Sequence, residues 1–147
     1  MRESGAMALL LRTADTADIE PLLAFWKTAA ENTDRDDAAA AVAALLARDP
    51  AALLLAVDGD EIVGSLIAGW DGWRCHLYRY AVHPDRRRQG IGRALLDAAE
   101  QRFTALGGRR ADAMVLDDND LAADAWTAAG YRPQPQWSRW VKPLTAR

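Results

Sequence analysis

The sequence lacks several features that define common classes of protein. It has one cysteine, Cys75, which excludes an internal disulfide. No apolar run approaches the roughly 20 residues of a membrane-spanning helix, and Ala8 to Leu11 is too short an apolar run for a signal peptide. Lys and Arg number 18 against 21 Asp and Glu, a net charge of -3, which argues against general nucleic-acid binding. We expect a cytoplasmic protein that binds neither nucleic acid nor membrane, and we predict no metal site.

The length and the element pattern favour one α/β domain over residues 1–147. Half of the residues are hydrophobic, enough for a real core. The predicted order is a strand, two helices, three antiparallel strands, a helix, a strand, a helix and a final strand over Trp137 to Lys142. This order predicts a mixed central sheet of about six to seven strands with helices on both faces.

A basic, glycine-punctuated loop follows the fourth strand and opens the third helix. Gly90 and Gly92 lie at the start of an apolar stripe at helical spacing, which comprises Ile91, Leu95, Ala99, Phe103 and Leu106. The first N–H groups of a helix have no partner within the helix, and glycines allow an anion to approach them. With Arg87, Arg88 and Arg93 nearby, the loop predicts a diphosphate cradle. The alternative is a basic turn in which the glycines only permit sharp bending.

The spacing excludes two common phosphate loops and matches a third. No Lys-Ser or Lys-Thr follows the glycines, and position 95 is Leu where a dinucleotide fingerprint has Gly. Arg87-x-x-Gly90-x-Gly92, after Val82-x-Pro84, resembles the acetyl-CoA motif of the GNAT superfamily of N-acetyltransferases. A second stretch, Asn119-x-x-Ala122-x-x-x-Trp126-x-x-x-Gly130-Tyr131, resembles a GNAT motif that has Tyr where this chain has Trp126.

The resemblance implies a GNAT fold and acetyl-CoA as acyl donor. It also implies that the pantetheine arm pairs with the backbone of the fourth strand beside a splay in the sheet, where an N–H near Val82 would serve the oxyanion. The implied donor-binding residues are Tyr80, Ala81, Val82, Arg87, Arg88, Gln89, Gly90, Ile91, Gly92, Arg93, Asn119 and Trp126.

His76 stands where many GNAT members have a catalytic Glu. Strand alternation predicts that His76, Tyr78 and Tyr80 share one face, and histidine as a residue type suits the role of general base. The alternative is a strand histidine that is hydrogen-bonded or solvated. Met114 replaces a second Glu of some members and cannot act, which leaves Asp112 as a weaker candidate.

Trp126 replaces the tyrosine that is proposed to protonate the departing thiolate in many members. An indole N–H only donates a hydrogen bond and does not titrate usefully, so the acid step has no assigned residue. Trp126 is either a donor-binding residue in the catalytic site or a core residue of a short helix.

The resemblance also implies that the first two helices and their loop form the acceptor wall, and the candidate substrate residues are Trp26, Glu31 and Tyr78. Acidic residues there attract a cationic amine or simply cap the second helix. We predict transfer of acetyl from acetyl-CoA to a primary amine of a small molecule or peptide, by direct attack in a ternary complex. The alternatives are a CoA-binding sensor or interaction module with weak or no activity, and a nucleotide-diphosphate-binding domain of another fold. Trp137 and Trp140 in the tail allow a homodimer.

Overall fold

A computed structural model of the chain describes residues 8–29, 38–115 and 119–144. The strands are β1 (Leu9–Thr13), β2 (Leu53–Asp58), β3 (Glu61–Trp70), β4 (Cys75–Val82) and β5 (Ala111–Ala113). The α-helices are α1 (Ile19–Ala29), α2 (Ala39–Arg48), α3 (Ile91–Ala105) and α4 (Asp120–Ala128). Two short 3-10 helices span Thr16–Asp18 and Pro84–Arg86.

These elements form two compact units, of which the first ends at Met114 and the second begins at Val115. The first unit contains a five-stranded sheet in the order β1-β2-β3-β4-β5. Neighbours among the first four strands are antiparallel, whereas β5 runs parallel to β4 because α3 carries the chain across the sheet. The predicted α/β fold is confirmed, with five strands in the described residues where about six to seven were expected.

Both faces of the sheet are covered by helices, because its central strands are apolar on both sides. On one face, α1 and α2 pack on β2 through a buried cluster that includes Leu22, Leu46 and Leu55. On the other face α3 packs on β2, β3 and β4, and Ile91 and Leu95 lie against Gly64. In the described ranges, no helix combines the length and apolar composition that a membrane span needs.

Local hydrogen bonds stabilise the segment between β1 and α1. Asp15 and Asp18 form a capping box, and the Arg12 guanidinium donates to both carboxylate oxygens of Asp18, at 2.8 and 2.9 Å. The Arg12 hydrogen bond holds the pKa of Asp18 below its usual range. The apolar run from Ala8 to Thr13 predicts a buried first strand, and this prediction is wrong, since Leu10 and Leu11 on this edge strand are exposed.

The second unit contains α4 and the tail. Asn119 caps α4, Gly130 follows it with φ +98°, and the rings of Trp126 and Tyr131 meet edge to face with centroids 5.0 Å apart. The predicted final strand is wrong, because residues 131–144 contain no strand and Trp140 is 91% exposed. A segment forms a strand only where another strand completes the backbone ladder.

Candidate functional site

A bulge in β4 sets the geometry of the site. Ser65 pairs with Ala81 and Ile67 pairs with Tyr78, so Arg79 and Tyr80 together face the single residue between Ser65 and Ile67. Arg79 has φ +54°, a conformation that costs a non-glycine residue roughly 1–2 kcal/mol. The extra residue interrupts strand alternation, so the prediction that Tyr80 shares a face with His76 and Tyr78 is wrong.

The bulge turns the Tyr80 side chain toward the first turn of α3. Its hydroxyl lies so close to Gly92 that a Cβ at position 92 would overlap it. Burial raises the pKa of the Tyr80 hydroxyl, and the charge of Arg93 opposes that rise in part. Gly92 therefore makes room for a neighbouring side chain as well as leaving the helix N-terminus uncovered.

Beside the bulge, β4 has a backbone edge without a partner strand. Pairing with β5 runs from Cys75 to Leu77, and the last pair is Leu77 with Ala113. Among the described residues, no strand pairs with Tyr78–Val82 on the side away from β3. Beyond the end of a ladder, the edge of a strand can accept an extended ligand through main-chain hydrogen bonds, so this segment, which contains the predicted Tyr80, Ala81 and Val82, can hold an amide-containing arm.

The first half of the loop after β4 is tied to the β2–β3 hairpin. The His83 N–H donates to the carbonyl of Val63 at 2.8 Å, and the His83 ring caps the following 3-10 turn by accepting from the N–H of Asp85. Arg86 donates to Asp58 at 2.7 Å and to Glu61 at 3.1 Å. These contacts give the loop a fixed base on the sheet.

The second half of the loop is exposed and shaped for an anion. Arg87, Arg88, Gln89 and Gly90 are exposed, and Arg88 and Gly90 have φ of +64° and +81°. Gly90 is the N-cap residue of α3 and offers no side-chain cap, so the first N–H groups of the helix, with the dipole behind them, face outward. Within the described residues, the two non-glycine residues with positive φ, Arg79 and Arg88, are in the β4 edge and this loop, as expected where strain accompanies function.

His76 is held by a carboxylate on the adjacent strand. It pairs with Asp112 across the parallel β4–β5 ladder, and its Nδ1 lies 2.8 Å from Asp112 Oδ1. Since a carboxylate only accepts hydrogen bonds, Nδ1 is the donor in this contact, and in the neutral ring the lone pair is then on Nε2.

Asp71 is a second carboxylate near this ring, with Oδ2 3.8 Å from His76 Nε2. The N–H groups of Arg74 and Trp73 donate to Asp71 and lower the pKa of its carboxyl. It therefore stays ionised beside the nitrogen that carries the lone pair. In the part of the chain that the structure describes, no three His, Cys, Asp or Glu side chains form a metal-binding group.

Two of the three candidate acceptor residues, Tyr78 and Trp26, lie among the described residues, and their environments differ. Tyr78 is exposed, and its hydroxyl lies over Gly69, the partner of His76 across the β3–β4 ladder. Trp26 is only 4% exposed, and its indole N–H donates to Ser65 Oγ at 2.9 Å, which places it in the core instead of on an open wall. Glu31 lies outside the described residues.

In the second unit, Asn119 and Trp126 are both engaged locally. Asn119 Oδ1 accepts from the N–H of Ala122 at 3.0 Å and so caps α4. Trp126 is buried and packs on Tyr131, which favours the core alternative for its ring. In the first unit, Met114 is exposed, and the single cysteine, Cys75, is buried with a raised pKa, as expected for an inert structural thiol.

Sequence reasoning overlooked three residues that shape the site: Ser65, Asp71 and Arg86. Ser65 was detectable as a lone polar residue inside the apolar run of β3. The pair Asp71-Gly72 indicates a turn in the sequence, and it gives no sign that the carboxylate lies near His76. Arg86 carried no spacing signal, because its partners Asp58 and Glu61 are more than twenty residues away.

Comparison with known proteins identifies the family. The family model described as "Acetyltransferase (GNAT) family" matches residues 16–131. The chain belongs to this GNAT family. An acetyltransferase of Pectobacterium atrosepticum is 35% identical over 114 residues, covering 78% of this chain and 81% of the relative. An acetyltransferase of Sodalis glossinidius is 32% identical over 117 residues, covering 80% and 82%.

Solved GNAT structures share the fold. AAC(6')-Iy, in complex with the bisubstrate analogue CoA-S-monomethyl-acetylneamine, matches with a TM-score of 0.73 at 18% identity, covering 92% of this chain and 99% of that one. An aminoglycoside acetyltransferase from an uncultured soil metagenomic sample, in complex with trehalose, matches with a TM-score of 0.75 at 19% identity, covering 93% and 97%. At these identities the likeness concerns the fold alone.

Proposed function

We propose that this GNAT protein transfers the acetyl group of acetyl-CoA to a primary amine of a small molecule or peptide, by direct attack in a ternary complex. The single observation that carries the proposal is the His76–Asp112 pair, since the ladder between β4 and β5 ends one residue later. A base that is oriented by a carboxylate, close to the point where the β4–β5 ladder ends, is what deprotonation of a bound amine requires.

The donor side fits acetyl-CoA. The edge at Tyr80 to Val82 suits the amides of the pantetheine arm, and the exposed N-terminus of α3 with Arg87 and Arg88 suits the diphosphate. The bisubstrate analogue in AAC(6')-Iy contains CoA, which supports the same donor here.

On the acceptor side, the amine nitrogen attacks the thioester carbonyl. A C–N bond forms, the C–S bond breaks, and the amine proton goes to Nε2 of His76. Asp112 and Asp71 stabilise the resulting imidazolium, one at each ring nitrogen. Because thiols ionise near pH 8.5, about 1.5 units above neutral, the thiolate can leave without a dedicated acid. Trp126 is therefore not needed as a proton donor.

The class of acceptor is a cationic small-molecule or peptide amine. The two carboxylates beside His76 favour a positively charged group, and the aminoglycoside acetyltransferase among the structural neighbours supports a small-molecule amine. Tyr78 is the exposed aromatic residue nearest to this position along β4 and would contact the acceptor. We further propose a cytoplasmic location, which the single buried thiol of Cys75 suits; the homodimer stays a prediction.

The test begins with calorimetric titration by acetyl-CoA, with ATP and NAD as controls, followed by a screen of amines for release of free CoA thiol. His76→Gln should lower kcat by about a hundredfold, the range of general-base catalysis, with an unchanged Kd for acetyl-CoA. Binding of acetyl-CoA without acetylation of any amine would favour the sensor or interaction module, and preferential binding of ATP or NAD would overturn the proposal.

A further inference from the structure

Ser65 links α1 to the bulge of β4 through two buried hydrogen bonds. Its side chain is fully buried in the middle of β3. Its Oγ accepts from the indole N–H of Trp26 at 2.9 Å and donates to the carbonyl of Arg79 at 2.8 Å. A buried hydroxyl is costly unless its hydrogen bonds are made, so this arrangement holds both of its partners in place.

Trp26 contacts Arg79 a second time, through the ring. The Arg79 guanidinium carbon lies 5.2 Å from the centroid of the Trp26 ring, a cation–π distance. Both ends of the bulged residue are therefore restrained: its carbonyl through Ser65 and its guanidinium by the indole face. Arg79 is the residue at which β4 takes positive φ and changes register against β3.

We propose that Trp26 and Ser65 are positioning residues for the acyl donor, acting through Arg79 to hold the β4 bulge. The proposal rests on the proposed function, because it takes Tyr80–Val82 as the donor-binding edge. The bulge determines which way that edge presents its N–H and C=O groups, and it turns Tyr80 over Gly92 at the start of α3. Trp26 thus serves the donor side from inside the core.

Two variants weaken the hydrogen bonds that hold Arg79. Ser65→Ala deletes the hydroxyl, whereas Trp26→Phe deletes the indole donor and leaves the Ser65–Arg79 bond. Since one buried hydrogen bond is worth roughly 1 kcal/mol, we expect Ser65→Ala to raise the Kd for acetyl-CoA about fivefold to tenfold. The KM for the amine should change by less than about twofold, because His76 and Asp112 pair in the part of the β4–β5 ladder that lies before the bulge.

Val42→Ala is the matched control, because Val42 belongs to the same buried cluster but lies on α2. It should lose comparable stability and leave the Kd for acetyl-CoA unchanged. An equal rise in Kd in this control would overturn the proposal, since loss of core packing alone would then explain the effect.

Hydrogen exchange gives a readout that needs no ligand. Peptides covering 78–83 should exchange at least about fivefold faster in Ser65→Ala and Trp26→Phe than in wild type, while β2 peptides should not. Unchanged exchange at 78–83 would show that the bulge does not depend on these bonds. Faster exchange with an unchanged Kd would remove the positioning role. If wild-type protein bound no acetyl-CoA, the proposed function itself would fail, and the positioning role would be overturned with it.

Discussion

Nδ1 of His76 and Oδ1 of Asp112 lie 2.8 Å apart because the two residues are direct partners in the parallel ladder of β4 and β5. Strand pairing brings partner side chains to the same face of the sheet. The ladder ends one pair later, so the His76 ring is anchored where the sheet is still closed, next to the point where it opens.

The tautomer of His76 should depend on Asp112. In Asp112→Asn the amide can donate to Nδ1, which would move the ring proton to Nε2 and remove the base. We expect kcat to fall about tenfold or more, with the Kd for acetyl-CoA unchanged. Asp60→Asn, at an exposed carboxylate in the β2–β3 turn, is the control. A kcat equal to that of wild type in Asp112→Asn would refute this orientation.

Gly92 and Tyr80 should be energetically coupled. A Cβ at position 92 overlaps the Tyr80 hydroxyl, so Gly92→Ala should destabilise the fold by about 1–3 kcal/mol despite the better helix propensity of alanine. Tyr80→Phe removes the nearest atom, and the double variant should regain part of the loss. Denaturant unfolding of the four proteins measures the coupling; strictly additive losses would show that the two side chains do not compete for space.

The hydrogen bonds of Arg86, which tie the loop after β4 to the β2–β3 hairpin, should affect the Kd for acetyl-CoA and leave kcat unchanged. Arg86→Ala removes the hydrogen bonds to Asp58 and Glu61, so we expect about a fivefold rise in the Kd for acetyl-CoA from a less ordered loop. Arg102→Ala is the matched control, because Arg102 forms a comparable bond to Asp49 at 2.6 Å, away from the loop. An equal rise in the Kd for acetyl-CoA in both variants would show that the weaker binding comes from a less stable fold and not from the loop.

Trp126 should behave as a core residue. Its burial and its edge contact with Tyr131 predict that Trp126→Tyr and Trp126→Phe each lower the free energy of unfolding by about 1–3 kcal/mol. Their kcat values should be equal, since the phenol is then not used. A kcat at least about tenfold higher in the Tyr variant than in the Phe variant would instead show that a missing acid limits turnover.

The Arg12–Asp18 pair should make stability depend on acid. Because the folded-state pKa of Asp18 is lowered, the contribution of its carboxylate to the free energy of unfolding is fully present above the unfolded-state pKa, about 4. It is lost as the pH falls through the lower folded-state value. Asp18→Asn should cost about 1–2 kcal/mol at neutral pH, allowing for the partial exposure of Arg12. Urea titrations from pH 7 to 2 give the difference in the free energy of unfolding between Asp18→Asn and wild type, and this difference should narrow below about pH 4. A difference that stays constant over this range would assign the lost stability to the capping box.

Much of this architecture was predictable because its signals are local. The Asp58-Gly59 turn, the apolar stripe of α3, the cap at Asn119 and the glycines after β4 each depend on residues a few positions apart. The GNAT resemblance rested on the same short-range spacing, and the family match confirms it. The prediction of the final strand failed because a strand needs a distant partner strand, and no strand in the described residues pairs with residues 137–142.

What the amino-acid sequence determined by itself was the order of the elements from β1 to α4, the basic glycine-containing loop after β4 and the choice of His76 as a candidate base. The tertiary structure decided the direction in which side chains point along β4, because a single residue with positive φ at Arg79 reverses the alternation that periodicity assumes. It also decided the partners of His76, Arg86 and Ser65, which come from strands and helices distant in the chain. Such pairings follow from strand register and helix packing, and no short-range pattern encodes them.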